Sequence, residues 1–137
     1  MQTLLITGGC GFIGSNLATR FKAESQGLQV IAFDNLKRRG SELNLPRLRA
    51  SGVEFIHGDI RNSEDLSAVG PFDCIIECSA EPSALAGYNS SPQYVINANL
   101  AGTINCLEAA RKCRADFIFL STSRVYPIGL LRSVRMS

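Results

Sequence analysis

Short hydrophobic runs recur along the chain and alternate with longer amphipathic stretches. Five runs are rich in Ile, Val and Phe, are bounded by Gly, Asp or Ser, and therefore predict strands. They cover residues 3–7, 28–33, 53–57, 72–78 and 116–122. Because the runs are nearly continuous rather than alternating, they favour a parallel sheet that is covered on both faces.

The stretches between the strands have the spacing of helices. One helix is predicted over residues 11–26, and two shorter crossovers are predicted at 41–50 and 62–69. With right-handed crossovers, the element order β-α-β-α-β-α-β-α-β predicts an α/β fold. The expected architecture is a Rossmann-like, doubly wound parallel sheet of strand order 3-2-1-4-5 in three α/β/α layers.

The longest predicted helix, residues 91–113, carries two apolar rows. The first row contains Val95, Ala98, Gly102, Cys106, Ala109 and Cys113. The second row contains Leu100, Ile104 and Leu107. A helix that is apolar on two sides is expected to be buried on both, by the sheet and by another helix or subunit.

The composition limits the possible classes of function. The 137 residues are 45% hydrophobic and 19% charged, which is typical of one soluble globular domain. A net charge of +2 is too balanced for nucleic acid to be expected as a partner. No apolar run approaches the roughly 20 residues of a membrane span, so neither a membrane association nor a signal peptide is expected.

The most informative local motif is TGGCGFIG, residues 7–14, which follows the first predicted strand and opens the first helix. Either Gly8 or Gly9 can form the tight turn. In both cases Gly11 lets a pyrophosphate approach the backbone, and Gly14 lets the helix pack closely on the sheet. The N–H groups at the start of the helix then bind the phosphates.

Asp34 supports this interpretation because it ends the second predicted strand, about 20 residues after the last glycine. A carboxylate at this position accepts hydrogen bonds from both hydroxyls of an adenosine ribose and repels a 2′-phosphate. The motif therefore predicts a dinucleotide cofactor, with NAD favoured over NADP. Lys37, Arg38 and Arg39 follow and favour NADP, which stays open as the alternative.

Five scattered cysteines do not form a disulfide framework, and they indicate a reducing, cytoplasmic location. They are Cys10, Cys74, Cys78, Cys106 and Cys113. The four-residue spacing of Cys74 and Cys78 differs from that of known zinc sites, and no metal site is expected. Cys10 lies near a helix N-terminus, where a thiol pKa can fall, or is simply a small residue within the loop.

Six segments, in order, resemble the extended short-chain dehydrogenase/reductases, and among them the NAD-dependent nucleotide-sugar epimerase/dehydratase group. The segments are TGGCGFIGSNL, FDNL, HGDIRN, ECSAEPS, NANLAGT and STSRVYP. The resemblance implies a partial NAD-binding Rossmann domain over residues 1–128, followed by a tail, residues 129–137, without family likeness.

The resemblance also implies a set of cofactor-binding residues. They are Gly8, Gly11, Phe12, Ile13, Gly14, Asp34, Asn35, Asp59, Ile60, Ser79, Ala80, Asn99 and Thr122. Asp59 is expected beside the adenine, next to Ile60, while Ser79 and Ala80 pass beneath the cofactor. Thr122 is also the implied catalytic residue, because a serine or threonine at this strand end hydrogen-bonds the reacting oxygen in the family.

Some residues depart from the family pattern. Glu77 replaces a more usual histidine, and Pro127 replaces a glycine. With the CSAEPS segment, these departures resemble the branch that contains CDP-paratose 2-epimerase. Ser123 and Arg124 stand where the 4,6-dehydratases carry an acidic pair, and a basic residue cannot act as the proton-donating acid, so epimerisation is favoured over dehydration.

The implied reaction moves a hydride from a sugar carbon to NAD and returns it to the other face of a keto-sugar. In the family, a tyrosine whose pKa is lowered by a lysine takes the hydroxyl proton. The chain has no such Tyr-x-x-x-Lys pair, since Tyr88, Tyr94 and Tyr126 are followed four residues later by proline, alanine and leucine. We therefore expect a truncated, N-terminal cofactor half of a longer enzyme, inactive by itself.

Three hypotheses follow for the function. The first is the NAD-binding portion of a nucleotide-sugar epimerase, with a nucleotide sugar as the substrate of the full enzyme. The second is a non-catalytic NAD-binding or regulatory module, and the third is a dehydratase or reductase of the same family. An exposed last strand and the second apolar row of helix 91–113 predict a homo-oligomer.

Overall fold

The computed structural model describes residues 2–83, 85–122 and 128–134. Five parallel strands form one sheet in the order β3-β2-β1-β4-β5. The strands are β1 (Thr3–Thr7), β2 (Gln29–Asp34), β3 (Glu54–His57), β4 (Cys74–Glu77) and β5 (Asp116–Phe119). The predicted α/β class and the predicted strand order 3-2-1-4-5 are confirmed.

Helical segments connect the strands and cover both faces of the sheet. They are α1 (Phe12–Glu24), a 3₁₀ turn (Ser41–Asn44), α2 (Leu45–Ala50), α3 (Ser63–Ala68), α4 (Gln93–Ile96), a π turn (Asn97–Ala101), α5 (Gly102–Cys113) and α6 (Ile128–Ser133). The sequence predicts no element for the segment that forms α6. Within the described ranges, no helix is long and apolar enough to cross a membrane.

The sheet separates two hydrophobic cores. On one face, β1 and β2 pack against α1 and α2, with Leu4 and Leu48 among the buried residues. On the other face, the same sheet packs against α3 and α5, with Ile75 and Cys106 among the buried residues. Successive strand residues point to opposite faces, so a strand buried on both sides is apolar throughout.

Two strands are each three residues shorter than their hydrophobic runs predict. The strand expected over residues 72–78 covers Cys74–Glu77, and the strand expected over 116–122 ends at Phe119. β1 pairs with β4 only as far as Thr7 and Glu77. Beyond this pair β1 gives way to the glycine loop, and β5 pairs with β4 only as far as Phe119 and Glu77.

The helix predicted over residues 91–113 is interrupted by the π turn. The N–H of Gly102 bonds to the carbonyl of Asn97, five residues earlier, where an α-helix would use the carbonyl four residues earlier. This wider turn inserts one extra residue between α4 and α5. The periodicity of the apolar residues alone predicts a continuous helix, and that prediction is wrong at this turn.

The two apolar rows of this helical region have different environments. Ala98 and Cys106 of the first row are buried, and Cys106 packs in the core between α5 and the sheet, as predicted. Leu100, Ile104 and Leu107 of the second row are 59%, 50% and 47% exposed. No element of the described residues buries this second side.

Candidate cofactor site

The glycine loop between β1 and α1 forms a tight turn against the end of β4. Gly8 has a φ of +61°, and an added Cβ would lie 2.7 Å from the carbonyl oxygen of Cys78. An added Cβ at Gly14 would lie 2.2 Å from the carbonyl oxygen of Gly8. Both positions therefore require glycine, and Gly8, rather than Gly9, supplies the left-handed turn.

The start of α1 presents backbone N–H groups beside this turn. Gly11 caps the helix in an extended conformation, and its carbonyl accepts a hydrogen bond from the N–H of Ser15 at 3.0 Å. The N–H groups of Phe12 and Ile13 precede the first group with an intrahelical acceptor. Together with the helix dipole, they favour an anion at this point.

Asp34 links the end of β2 to the glycine loop. Its Oδ2 accepts a hydrogen bond from the N–H of Cys10 at 3.0 Å, and its Oδ1 accepts one from the N–H of Leu36 at 2.8 Å. These bonds fix the orientation of the carboxylate. Because each carboxylate oxygen has two acceptor sites, Asp34 can still accept hydrogen bonds from ribose hydroxyls.

Cys10 does not have the lowered thiol pKa that a helix N-terminus can produce. Its side chain is fully buried. Burial, with a smaller contribution from the Asp34 carboxylate, raises the pKa of Cys10 to about 12. The activated-thiol interpretation is therefore wrong, and Cys10 is a small buried residue of the core.

Asn35, Asp59 and Ile60 meet where β2 and β3 end. Asn35 Nδ2 donates to Asp59 Oδ2 at 3.0 Å, and the Arg61 guanidinium donates to both oxygens of that carboxylate. The hydrogen bonds from Arg61 hold the pKa of Asp59 well below its usual range. Ile60 is buried, and its carbonyl accepts a hydrogen bond from Asn105 Nδ2 at 2.8 Å.

Asn99, in the π turn, holds the segment that follows β4. Its Oδ1 accepts a hydrogen bond from the N–H of Glu81 at 2.8 Å, and its Nδ2 donates to the carbonyl of Glu81 at 3.2 Å. Ser79 and Ala80 lie between β4 and this clamp, and the backbone of Ser79 packs against Gly8. The structure thus brings the segment after β4 together with the glycine loop.

Thr122 is exposed and lies three residues beyond the end of β5. Because all five strands are parallel, it lies at the same carboxyl edge of the sheet as Asp34 and Ser79. The neighbouring residues used to distinguish epimerases from dehydratases, Ser123 and Arg124, lie outside the described residues, as do Tyr126 and Pro127.

An aromatic side chain that the sequence did not single out joins this edge. The ring of Tyr94, in α4, lies under Lys37 Nζ at 3.8 Å and under the Arg61 guanidinium carbon at 5.4 Å, measured to the ring centroid. These cation–π contacts connect three separate segments around Asn35 and Asp59. The basic run at residues 37–39 is the only sequence signal that could have drawn attention to this cluster.

Glu77, the last residue of β4, is a second feature whose role the sequence did not reveal. Its side chain is 2% exposed, and its Oε1 has no hydrogen-bond partner among the described residues. Burial raises the pKa of Glu77 from 4.5 to about 7, against smaller opposing contributions from the Ser79 N–H and the Thr103 hydroxyl. The only sequence feature that could have drawn attention to Glu77 is its position as an acidic residue within an apolar run.

The arrangement fits a dinucleotide. The glycine loop follows β1 beside β4, where the strand order reverses, which is the usual position of a ligand in an open α/β sheet. The glycine loop and the start of α1 offer anion donors, and Asp34 offers ribose acceptors directly beside them. In the part of the chain that the structure describes, no group of three or more His, Cys, Asp or Glu side chains is placed to hold a metal ion.

Several known proteins are similar in sequence to this chain. The model of the NAD dependent epimerase/dehydratase family matches residues 4–132. CDP-paratose 2-epimerase from Salmonella typhi is 43% identical over 130 residues, which are 90% of this chain and 37% of that protein. The family match therefore runs into α6, past residue 128.

Solved structures have the same fold at lower identity. The UDP-Glc/GlcNAc 4-epimerase from Campylobacter jejuni superposes with a TM-score of 0.82 and 26% identity, over 93% of this chain and 39% of that one. The dTDP-glucose 4,6-dehydratase from Bacillus anthracis, in complex with NAD, gives a TM-score of 0.74 and 27% identity, over 89% and 38%. The chain thus spans less than half the length of these relatives.

Proposed function

The chain belongs to the NAD-dependent epimerase/dehydratase family, as its motifs predict, and we propose that it is the NAD-binding portion of a nucleotide-sugar epimerase. The hydrogen bond between Asp34 Oδ2 and the N–H of Cys10 carries the proposal, because it holds the ribose acceptor against the phosphate-binding loop. The 43% identity to a CDP-paratose 2-epimerase supports a CDP-sugar as the substrate class of the whole enzyme.

The first half of the site binds the diphosphate and the adenosine. The diphosphate accepts hydrogen bonds from the backbone N–H groups of Phe12 and Ile13. Gly8 and Gly14 shape the loop, and the N–H of Gly11 donates to the Gly8 carbonyl at 2.9 Å within the turn. The ribose hydroxyls donate to the carboxylate at the end of β2. The adenine lies along the surface where β2 and β3 end, which carries the hydrogen-bonded amide and carboxylate described above.

The second half of the site faces the nicotinamide and the sugar. Ser79 and Ala80 pass beneath the cofactor, held in place by the two hydrogen bonds between Asn99 and Glu81. Thr122, at the carboxyl end of β5, hydrogen-bonds the reacting oxygen of the sugar. These assignments extend the geometry of the cleft with the family resemblance of the ECSAEPS, NANLAGT and STSRVYP segments.

Catalysis needs more than these residues supply. NAD, when bound, provides reversible acceptance of a hydride from the sugar carbon. A general base must also take the hydroxyl proton, and the threonine at the end of β5 is too weak an acid and base for that role near neutral pH. Since the chain contains no Tyr-x-x-x-Lys pair, we expect it to bind NAD with little or no turnover.

The binding claim is tested by calorimetric titration of NAD and NADP into the wild-type chain and two glycine variants. An added Cβ at Gly11 would meet only the Gly8 carbonyl, at 3.1 Å, so Gly11→Ala keeps the fold but occupies the approach to the backbone. We expect NAD affinity to fall at least about tenfold, which is roughly 1.4 kcal/mol. Gly27→Ala is the matched control, because nothing lies within 4 Å of an added Cβ there.

The same titration tests the preference between the two cofactors. The Asp34 carboxylate repels a 2′-phosphate, so NAD should bind the wild type more tightly than NADP. Equal NAD affinities for the Gly11 and Gly27 variants would contradict the phosphate cradle. Tighter binding of NADP than of NAD would contradict the role of Asp34.

A non-catalytic NAD-binding module is the second candidate, because the glycine loop and Asp34 can bind a dinucleotide without taking part in any reaction. A turnover assay with CDP- and UDP-sugars, followed by titration of the same compounds into the NAD-loaded chain, distinguishes the two. Robust epimerisation would contradict the expected inactivity of this chain. Binding of a nucleotide sugar without turnover supports the epimerase origin, whereas its absence favours the module.

We also propose that the chain self-associates in the cytoplasm. The half-exposed row of Leu100, Ile104 and Leu107 is an apolar surface of the kind that subunits bury. β5 is an edge strand of the sheet and exposes about half of Ile118 and Phe119. All five cysteines carry free thiols, which supports a reducing compartment.

A further inference from the structure

A buried carboxyl group lies directly beneath the point where the strand order reverses. Thr7 and Glu77 are the last paired residues of β1 and β4. Their side chains are 0% and 2% exposed, and they lie on the α5 side of the sheet. Parallel α/β sheets bind their ligands outside this edge, between these two strands.

The polar atoms of this pair are incompletely satisfied. Glu77 Oε2 lies 3.4 Å from the Thr103 hydroxyl, which also donates to the Asn99 carbonyl at 3.1 Å. Glu77 Oε1 and Thr7 Oγ1 have no hydrogen-bond partner within the described residues. The thiol of Cys106 lies near Thr7, but a thiol is a weak partner for a hydroxyl. Buried oxygens without a protein partner are rare, and each one calls for a physical explanation.

The groups around Glu77 are neutral, so they cannot compensate the negative charge of an ionised carboxylate. The thiols that Glu77 affects are those of Cys78, the next residue along the chain, and of Cys106 in α5. Burial raises the pKa of each thiol to about 12, so both are neutral. β1 contributes only the hydroxyl of Thr7. No lysine, arginine or second carboxyl group among the described residues affects the pKa of Glu77.

We propose that Glu77 is a positioning residue that supports cofactor binding as a neutral carboxylic acid, and that its ionisation weakens binding of the diphosphate. The proposal rests on the proposed NAD-binding function. Glu77 lies at the strand end next to the glycine loop, since its strand partner Thr7 is followed directly by Gly8. A negative charge here would oppose the anion that the loop binds, and the low polarity of the surroundings would strengthen that repulsion.

Protonation of Glu77 and binding of the cofactor are coupled, and this coupling gives the direction in which pH changes the affinity. If ionised Glu77 repels the diphosphate, bound cofactor must also favour the protonated form of Glu77 by the same factor. Cofactor affinity should therefore be highest at pH 6 and fall as the pH rises to 9. We expect a loss of about tenfold, within the usual range for coupled sites.

The experiment measures binding of NAD and of ADP-ribose, which carries the diphosphate without the nicotinamide, between pH 6 and 9. The wild type, Glu77→Gln and Glu77→Met are compared, with circular dichroism at each pH to confirm that each chain is folded. Both substitutions remove the ionisable group, so their affinities should stay constant across this range. Glu108→Gln is the matched control, because Glu108 is exposed and should leave the wild-type profile unchanged.

The outcomes separate this inference from the proposed function. A parallel loss of both probes in the wild type, absent in both Glu77 variants, supports the inference. The inference is overturned if the variants keep the wild-type pH dependence, or if NAD and ADP-ribose respond in opposite directions. Absence of binding of either probe at every pH overturns the proposed function, and the inference with it.

Discussion

The buried Glu77 predicts how the stability of the ligand-free chain depends on pH. A rise of its pKa from 4.5 to about 7 on folding means that the folded state keeps a proton that the unfolded state has lost. Below pH 4.5 both states are protonated, and Glu77 adds no pH dependence. Between pH 4.5 and 7 the folded state binds more protons, so the free energy of unfolding falls as the pH rises. Above about pH 7 the penalty is complete and constant.

The size of the stability loss follows from the two pKa values of Glu77, 4.5 in the unfolded and about 7 in the folded chain. The difference in pKa corresponds to about 3 kcal/mol of lost stability at pH 8 relative to pH 4.5. This is a large share of the roughly 5–15 kcal/mol of a typical domain. Because Glu77 is 2% exposed, solvent screening reduces the effect little.

Urea denaturation of the wild type and of Glu77→Gln at pH 5 and pH 8 measures this effect. The glutamine has nearly the same shape and cannot ionise, so the variant should be close to the wild type at pH 5 and about 2–3 kcal/mol more stable at pH 8. Glu108→Gln, at an exposed position, is the control and should show no such gain. An identical pH dependence for the wild type and Glu77→Gln would refute the reasoning, because it would show that Glu77 does not hold a proton in the folded chain.

Two further predictions concern packing and assembly. Gly14→Ala places a Cβ 2.2 Å from the Gly8 carbonyl oxygen, so urea denaturation should show a loss of roughly 3 kcal/mol. Gly27→Ala should be close to neutral, and equal stabilities for the two variants would contradict this packing. Leu100→Lys, in the exposed apolar row, should shift the chain towards monomer in light scattering, whereas Leu43→Lys, at an isolated exposed site, should not. A wild type that is already monomeric at micromolar concentration would contradict the proposed assembly.

Much of the fold could be predicted because parallel strands have a simple signal. Each strand is buried on both sides and is therefore nearly continuous in hydrophobicity, and right-handed crossovers leave few possible strand orders. The association of Asp34 with the glycine loop also follows from sequence, since β1 and β2 are neighbours and end at the same edge. These features depend on local pattern and on topology alone.

The remaining features depend on contacts between distant segments. The π turn arises from a choice between two backbone acceptors for one N–H, and side-chain periodicity does not report that choice. Glu77 ends an apolar strand and is followed by the half-buried Cys78 and Ser79, so its sequence position does not show that α5 packs over its side chain and buries it. The stacking of Lys37 and Arg61 on Tyr94 likewise needs two loops and α4 to converge.

The π turn at Asn97–Ala101 determines how far α4 is rotated about the helix axis relative to α5. Each residue of an α-helix turns the chain by about 100°, so removing one residue here would rotate α4 by that angle relative to α5. Tyr94 would then leave the two cations that it now contacts, while Cys106 kept its place under the sheet. The extra residue thus lets α4 contact Lys37 and Arg61 through Tyr94 while α5 packs against the sheet. Insertions or deletions at this turn should therefore be tolerated far less than in the loops that flank it.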